Sequence, residues 1–319
     1  MHTEFKFHPQ VTQIGAYWGE GGHTELYLFE GDQLAIMDTG CSDTPERYIA
    51  PALEAMDKRM ADIDVIINTH GHHDHAGGNA PVVDASGAQV WISEHDARIA
   101  EDPDYQFERY FAQNDTMVGR PDRLEASLAK IREQAYPSKV DRRLKDGDVL
   151  GLGKGISLRV IACPGHTEGS LAFMWEREGM LFTGDSILGA GSREGGMPLI
   201  YMPEHYERTL DHLEELDFGT LCLGHHYRAL SLPRESVKYG ELGKACIGAC
   251  REIAHILAEA MQQVLAREPQ AEFLPAARQA VAIIDRRMPL RLDPETGLPA
   301  AGGVAALYSN WQRFRAKQA

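Results

Sequence analysis

The chain has 319 residues, 43% hydrophobic and 25% charged, and a formal net charge of -15. That balance describes an ordinary soluble globular protein, long enough for one large domain plus an extension. The acidic excess argues against nucleic acid as a partner, and no basic-then-apolar leader or membrane-length apolar run is present, so the default expectation is a cytoplasmic protein acting on a small molecule without a membrane.

Short strands are expected through the first third. Leu26–Phe29 and Leu34–Met37 flank Glu30-Gly31-Asp32, a hairpin turn. A helical pattern runs from Pro45 to about Met60, with Pro45 suited to a first turn. Val65 to Asn68 reads as a buried strand, and Val90–Ile92 as another. Residues 96 to 145 break this rhythm: they look helical and polar, with Tyr105, Phe107, Tyr110 and Phe111 grouped together. Those aromatics are expected either to pack two surface helices or to line a substrate pocket beneath a lid.

Strands resume at Leu158–Ile161, Leu171–Met174, Leu181-Phe182 and Leu221–Leu223, with a helix around Glu204 to Glu215. Beyond Pro233 the composition turns helical, over Ser236–Arg267, Leu274–Arg287 and Val304–Ala316. The expected organisation is a catalytic domain over 1–232 and a helical extension over 233–319 packed on it. That tail could support a homodimer. The basic group Arg286, Arg287 and Arg291 reads as solvated helix surface. The five cysteines are dispersed with no C-x-x-C, and Cys246 and Cys250, one helical turn apart, read as core.

The chemistry is concentrated in Thr69-His70-Gly71-His72-His73-Asp74-His75, directly after the apolar run Val65-Ile66-Ile67. Neutral imidazoles and carboxylates are the usual ligands of zinc and its first-row neighbours. In an extended segment residues two apart project together, so His70 and His72 can grip one ion while Asp74 and His75 address a second position. Further ligand types follow other strand ends: His166 in Pro164-Gly165-His166, Asp185 in Thr183-Gly184-Asp185, and His225 in Leu223-Gly224-His225.

This set resembles the metallo-β-lactamase superfamily, over about residues 10 to 230. The resemblance implies an α/β (α+β) fold, an αββα sandwich with the site at one edge between two sheets. It implies that His70, His72 and His166 hold one metal ion, that Asp74, His75 and His225 hold another, and that Asp185 bridges. Two divalent ions are expected, zinc first, with manganese or iron as alternatives. His73, in the variable position of the motif, is expected at the surface or behind the ligands. Asp38 is expected to support the site floor. His23, Tyr201 and His226 are candidate substrate contacts, and Thr167 and Ser170 are expected to bond local backbone.

With no G-x-S-x-G elbow for a serine nucleophile, the implied reaction is hydrolysis by a metal-bridging hydroxide, with Asp74 orienting it and passing a proton to the leaving group. The expected substrate carries a thioester, lactone or carboxylic ester in a small to medium apolar molecule. A phosphotriester or other xenobiotic is the alternative at the same centre. His72 in place of glutamate counts against the flavodiiron branch, and Leu188 stands where lactonases resembling this chain carry tyrosine. A mononuclear iron sulfur dioxygenase would leave Asp74, His75 and His225 idle. A non-catalytic ligand-binding regulator could lose Asp185 or His225 without penalty. The residues from Glu235 to Met261 are expected to help build the pocket.

Overall fold

Alternation along the strands explains the layers. In Leu34–Met37 the side chains of Ala35 and Met37 enter one apolar cluster and those of Leu34 and Ile36 another, on opposite faces of the sheet. Val65 and Ile67 repeat the division against Ile66. In Leu171–Trp175, Leu171, Phe173 and Trp175 face inward while Ala172 and Met174 face out. Apolar residues at every strand position mean burial on both faces, so each sheet must be covered on both sides.

A computed structural model describes residues 4–19, 21–191, 195–299 and 301–316. Its first sheet holds β1 (Glu4–His8), β2 (Val11–Trp18), β3 (Gly22–Glu30), β4 (Leu34–Met37), β5 (Val65–Ile67), β6 (Gln89–Ser93) and β7 (Arg142–Leu144), in sequence order. Pairing is antiparallel up to β4 and parallel from β4 to β7. The second sheet holds β8 (Val149–Gly153), β9 (Ile156–Ala162), β10 (Leu171–Trp175), β11 (Met180–Phe182), β12 (Thr220–Cys222) and β13 (Val237–Tyr239), again in order, with only β11 and β12 parallel.

The inner faces meet in one cluster, with Tyr27, Phe29 and Met37 against Leu158, Phe173 and Phe182. Helical segments Pro45–Ile49, Ala50–Glu54 and Asn79–Ser86 cover the first sheet through Ile49, Leu53 and Val82. The second sheet is covered by Pro203–Glu215 and by the helices Glu241–Arg267, Phe273–Ile284 and Ala301–Ala316. The fold is therefore an αββα sandwich. Cys246 and Cys250 are core residues, and all five cysteines are buried free thiols. Arg287 spends its guanidinium on Glu252 and Glu259.

Several boundaries differ from the sequence reading. The helix from Pro45 stops at Glu54, where Asp57 takes a left-handed φ of 55° and Lys58 N–H donates back to Leu53. Strands β1, β2 and β8 join the expected ones, and β7 lies inside the segment read as helical and irregular. Residues read as the start of the long tail helix instead form β13, which pairs with β12, so the second sheet reaches past residue 233. Gly240, at a φ of 54°, makes the turn into the helix. None of the described helices is long and apolar enough to cross a membrane.

Candidate metal centre

Parallel strands deliver their following residues to one edge. The loop after β5 carries His70 and His72, and the helical turn His73–Ala76 carries Asp74 and His75. His166 follows β9, Asp185 follows β11 and His225 follows β12. Gly184 has a φ of 46°, and a Cβ there would lie 2.4 Å from the Thr69 side chain, so only glycine lets β11 approach the histidine loop this closely.

The seven residues converge. His70 Nε2 is 3.2 Å from His166 Nε2, and His75 Nε2 is 3.1 Å from His225 Nε2. Asp185 divides its carboxylate: Oδ1 lies 3.2 Å from His225 Nε2 and 3.4 Å from His75 Nε2, while Oδ2 lies 3.4 Å from His166 Nε2. Asp74 Oδ2 is 3.6 Å from His225 Nε2 and 3.8 Å from His75 Nε2. Atoms bound at roughly 2.0–2.1 Å around one tetrahedral ion lie about 3.4 Å apart. The observed separations therefore match donors around an ion, and in three clusters here one ligand atom from each residue lies within 4.8 Å of the others: His70/His72/His166, His70/His75/Asp185 and Asp74/His75/His225. His72 Nε2 is also buried without a hydrogen-bond partner. The chain's His and Asp residues thus fit divalent metal ions.

The outer nitrogens are fixed by the surrounding fold. His75 Nδ1 is 2.8 Å from Asp38 Oδ2, His166 Nδ1 is 2.8 Å from the Leu199 carbonyl, and His225 Nδ1 contacts the His23 carbonyl. Each contact orients an imidazole so that Nε2 faces the centre. Asp38, at a left-handed φ of 59°, also accepts from Thr69 N–H and from the Thr69 hydroxyl, both at 2.8 Å. It forms the floor, bonded to the ligand-bearing loop.

Protonation splits the centre. Burial, reinforced by neighbouring histidines, holds His70 and His72 well below the ordinary imidazole range, and burial lowers His166. Burial also works against a charge on His75, yet Asp185, Asp38 and Asp74 together raise it to about 10. His225 is raised against burial chiefly by Asp185. Burial would raise Asp74 and Asp185, but the facing histidines pull both below the usual carboxylate range.

A cavity of about 220 Å³ opens over the centre, lined by Asp74, Asp185 and His225 and by Trp18, Phe111 and Leu188 among others. Of the insertion's aromatics, Phe111 lines this cavity and Tyr110 sits edge-on to His72 at 5.0 Å. Phe107 is buried as packing, and Tyr105 lies under Arg98. The group is thus divided between packing and the wall of this cavity. His73 is buried, edge-on to Trp18 and Phe111, and lines the cavity, which removes the surface position expected for it. Helical geometry after His72 turns it inward where strand alternation would have turned it away.

None of the three candidate substrate contacts lines this cavity, although the Tyr201 ring lies 6.4 Å from that of His72 and 6.3 Å from that of His166. The Tyr201 hydroxyl donates to the Tyr110 carbonyl at 2.8 Å and lines a neighbouring cavity with Tyr308. The His23 and His226 rings lie 3.8 Å apart, tilted by 32°, beyond the cavity lining. Nor does the helix Glu241–Arg267 reach the cavity, because its apolar face is spent on the outer side of the second sheet.

Two residues at the site carried no sequence expectation. The Tyr227 hydroxyl donates to Asp185 Oδ1 at 2.6 Å. Asp96, fully buried, accepts from Gly71 N–H at 3.0 Å, Gly169 N–H at 3.0 Å and the Thr167 hydroxyl at 2.7 Å. It ties the His72 loop to the His166 loop, and burial raises its pKa to about 6. Thr167 therefore serves Asp96, whereas Ser170 accepts the Thr167 N–H as expected. The only signals were a carboxylate shortly after a strand and a tyrosine two residues past a ligand-type histidine.

Comparison with known proteins agrees with this arrangement. A probable metallo-hydrolase of Bacillus subtilis (strain 168) is 28% identical over 64% of this chain and 67% of its own. A hydroxyacylglutathione hydrolase of Anaeromyxobacter dehalogenans is 32% identical over 67% of this chain and 65% of its own, whereas the matched part of a beta-lactamase-like protein 2 homolog from Drosophila melanogaster is 48% of that protein. The chain thus spans about half to two thirds of the length of such relatives. A metallo-beta-lactamase family protein from Thermus thermophilus shares the fold with a TM-score of 0.73 at 21% identity, over 98% of this chain and 96% of that one. The model of the metallo-beta-lactamase superfamily matches residues 20–225. With that match over most of the sandwich and the ligand-type residues gathered at its edge, the chain belongs to the metallo-beta-lactamase superfamily.

Proposed function

We propose that the protein is a dinuclear metal-dependent hydrolase of ester-type bonds in small to medium apolar substrates, thioesters first, with lactones and carboxylic esters as the next classes. The observation that carries this reading is the divided Asp185 carboxylate, one oxygen toward His75 and His225 and the other toward His166. A shared anion is what two neighbouring divalent cations need to offset their repulsion. The hydroxyacylglutathione hydrolases among its relatives favour the thioester. Zinc is the first choice for a set rich in imidazole.

Two bound ions would supply a water that ionises near neutral pH and Lewis acidity for the carbonyl oxygen. The protein's own residues do the rest. Trp18, Phe111 and Leu188 offer apolar walls to the acyl portion. Asp74, held ionised by His75, His73 and His225, faces the cavity and accepts the proton of the attacking water. As the carbon–sulfur or carbon–oxygen ester bond breaks and the new carbon–oxygen bond forms, Asp74 returns that proton to the leaving group. Tyr227 keeps the Asp185 oxygens in register.

The test is metal analysis together with a substrate panel. About two zinc or manganese per chain, with turnover of a thioester, lactone or ester and loss of it on chelation, is the expected result. One iron per chain with sulfur-dependent oxygen uptake would establish the dioxygenase instead. Phosphotriester turnover alone would move the substrate class, and a metal-loaded protein inert to the whole panel would favour a binding role.

A further inference from the structure

A second group of ligand-type residues lies beside the centre just described. His23 and Glu25 are two apart on β3, so both project from its inner face, in line with the core residue Tyr27. At this end of the strand the inner face no longer meets the opposite sheet. It meets the loop after β12, where Glu25 N–H donates to the Gly224 carbonyl at 2.7 Å and the Tyr27 hydroxyl donates to the Leu223 carbonyl at 2.7 Å. That loop brings His226 over the strand, its ring 3.8 Å from that of His23.

We propose that His23, Glu25 and His226 form a third divalent-cation site, of the zinc class and separate from the seven-residue centre. One ligand atom from each lies within 4.8 Å of the others. His23 Nε2 is 3.5 Å from Glu25 Oε1, and His226 Nδ1 is 4.0 Å from the same oxygen. Donors at roughly 2.0–2.1 Å from one ion lie about 3.4 Å apart at a tetrahedral angle and up to about 4.2 Å when opposed, so both separations leave room for the ion. Both are too long for hydrogen bonds.

The polar atom left over points the same way. His23 is 3% exposed and Glu25 5%, yet Glu25 Oε2, the second oxygen of the carboxylate whose Oε1 faces both imidazoles, has no hydrogen-bond partner. Buried polar atoms are normally paired, and an unpaired carboxylate oxygen beside two imidazoles is well suited to a cation. Glu25 Oε1 is held by the Ser236 hydroxyl, which fixes the carboxylate as the partners of metal ligands do. A cavity of about 560 Å³, lined by Gln13, Glu25, His226, Arg234, Ser236 and Tyr239 among others, opens onto the group and gives water access to the remaining coordination position. Two histidines, one glutamate and an open position make a recurrent zinc ligand set.

The site is not isolated from the proposed catalytic centre, because the His23 carbonyl is the contact of His225 Nδ1. An ion on the His23 ring would therefore bear on the backbone that orients His225. The inference does not depend on which bond is hydrolysed, or on whether any is.

Equilibrium dialysis of the metal-stripped full chain against free zinc in the low micromolar range, read by elemental analysis, tests it. Three zinc ions per wild-type chain are expected, two in Glu25→Gln and two in His226→Ala, with circular dichroism showing each variant folded. Asp185→Asn should give the complementary pattern, losing zinc from the other centre while keeping the ion that Glu25→Gln loses. Two ions in the wild type with neither lost in Glu25→Gln or His226→Ala, or three in both of those variants, would overturn the third site, whereas two ions of which Glu25→Gln loses one would keep it and count against the dinuclear reading. Fewer than two in the wild type, none of them lost in Asp185→Asn, would instead count against the dinuclear reading. If Glu25→Gln fails to fold, His226→Ala decides the matter, since its partly exposed side chain can be removed without opening the core.

Discussion

The two halves of the metal centre share a sheet edge but differ in charge. His70, His72 and His166 meet with no carboxylate but one Asp185 oxygen, and burial keeps all three imidazoles neutral. His75 and His225 face Asp74, Asp185 and, behind His75, Asp38, and both are held protonated more firmly than free histidine. The first half presents lone pairs ready for a cation. The second holds protons where the proposed second cation would bind. The same residue type therefore plays opposite roles a few ångströms apart, and the carboxylates decide which.

The largest expected effect comes from removing the group both halves share. Asp185→Asn keeps the shape but not the charge, and should cost the second equivalent of metal and at least about 100-fold in turnover, beyond the range seen for outer partners. Full turnover with two metals per chain would break the bridging assignment. Asp38→Ala strikes the second half hardest: it should weaken metal there by about 10- to 100-fold, measured by chelator competition, and the three-histidine half less, since Asp38 reaches that half only through Thr69. Equal weakening of both halves would erase the distinction. Tyr227→Phe removes one hydrogen bond to Asp185 and should lower turnover about tenfold at unchanged metal content.

Two smaller effects sharpen the contrast. His75 keeps its proton up to about pH 10 without metal, so zinc binding near neutral pH should release a proton from it, seen as a buffer-dependent heat in calorimetry. Because its folded pKa is raised from 6.5 to about 10, the stability it lends is complete below pH 6.5 and lost as pH climbs through about 10. The metal-free chain's Tm should fall across that window, and His75→Gln should flatten the fall. Asp96→Ala leaves Gly71 and Gly169 N–H without their acceptor, and should destabilise the fold by about 3 kcal/mol in urea denaturation. A Tm unchanged by that substitution would show that the two loops hold together without Asp96.

Much of this centre was legible in the sequence because its ligands follow strand ends. A strand of alternating apolar residues has a predictable exit, and a histidine or aspartate placed just past it arrives at the sheet edge whatever the connections do. The same reasoning failed for His73. It assumed an extended chain where the backbone had already turned into the helix His73–Ala76, and a change of period moves a side chain to another face. Nor could it show that the Tyr201 hydroxyl bonds the Tyr110 carbonyl of the insertion, a contact between residues 91 apart.

By itself the sequence determined the strand ends that carry ligands and the order in which those ligands occur, since both rest on local periodicity and on chemistry close along the chain; the sandwich followed from the family resemblance those residues carry. Only the tertiary structure decided that Tyr227 serves Asp185, that Asp96 joins the Gly71 loop to the Thr167 loop, 25 and 71 residues from its own position, and that His23 and Glu25 of β3 meet His226. It also decided the charge of each histidine. Burial and the nearest carboxylate fix that charge, and both are properties of distance in space, which no spacing along the chain contains.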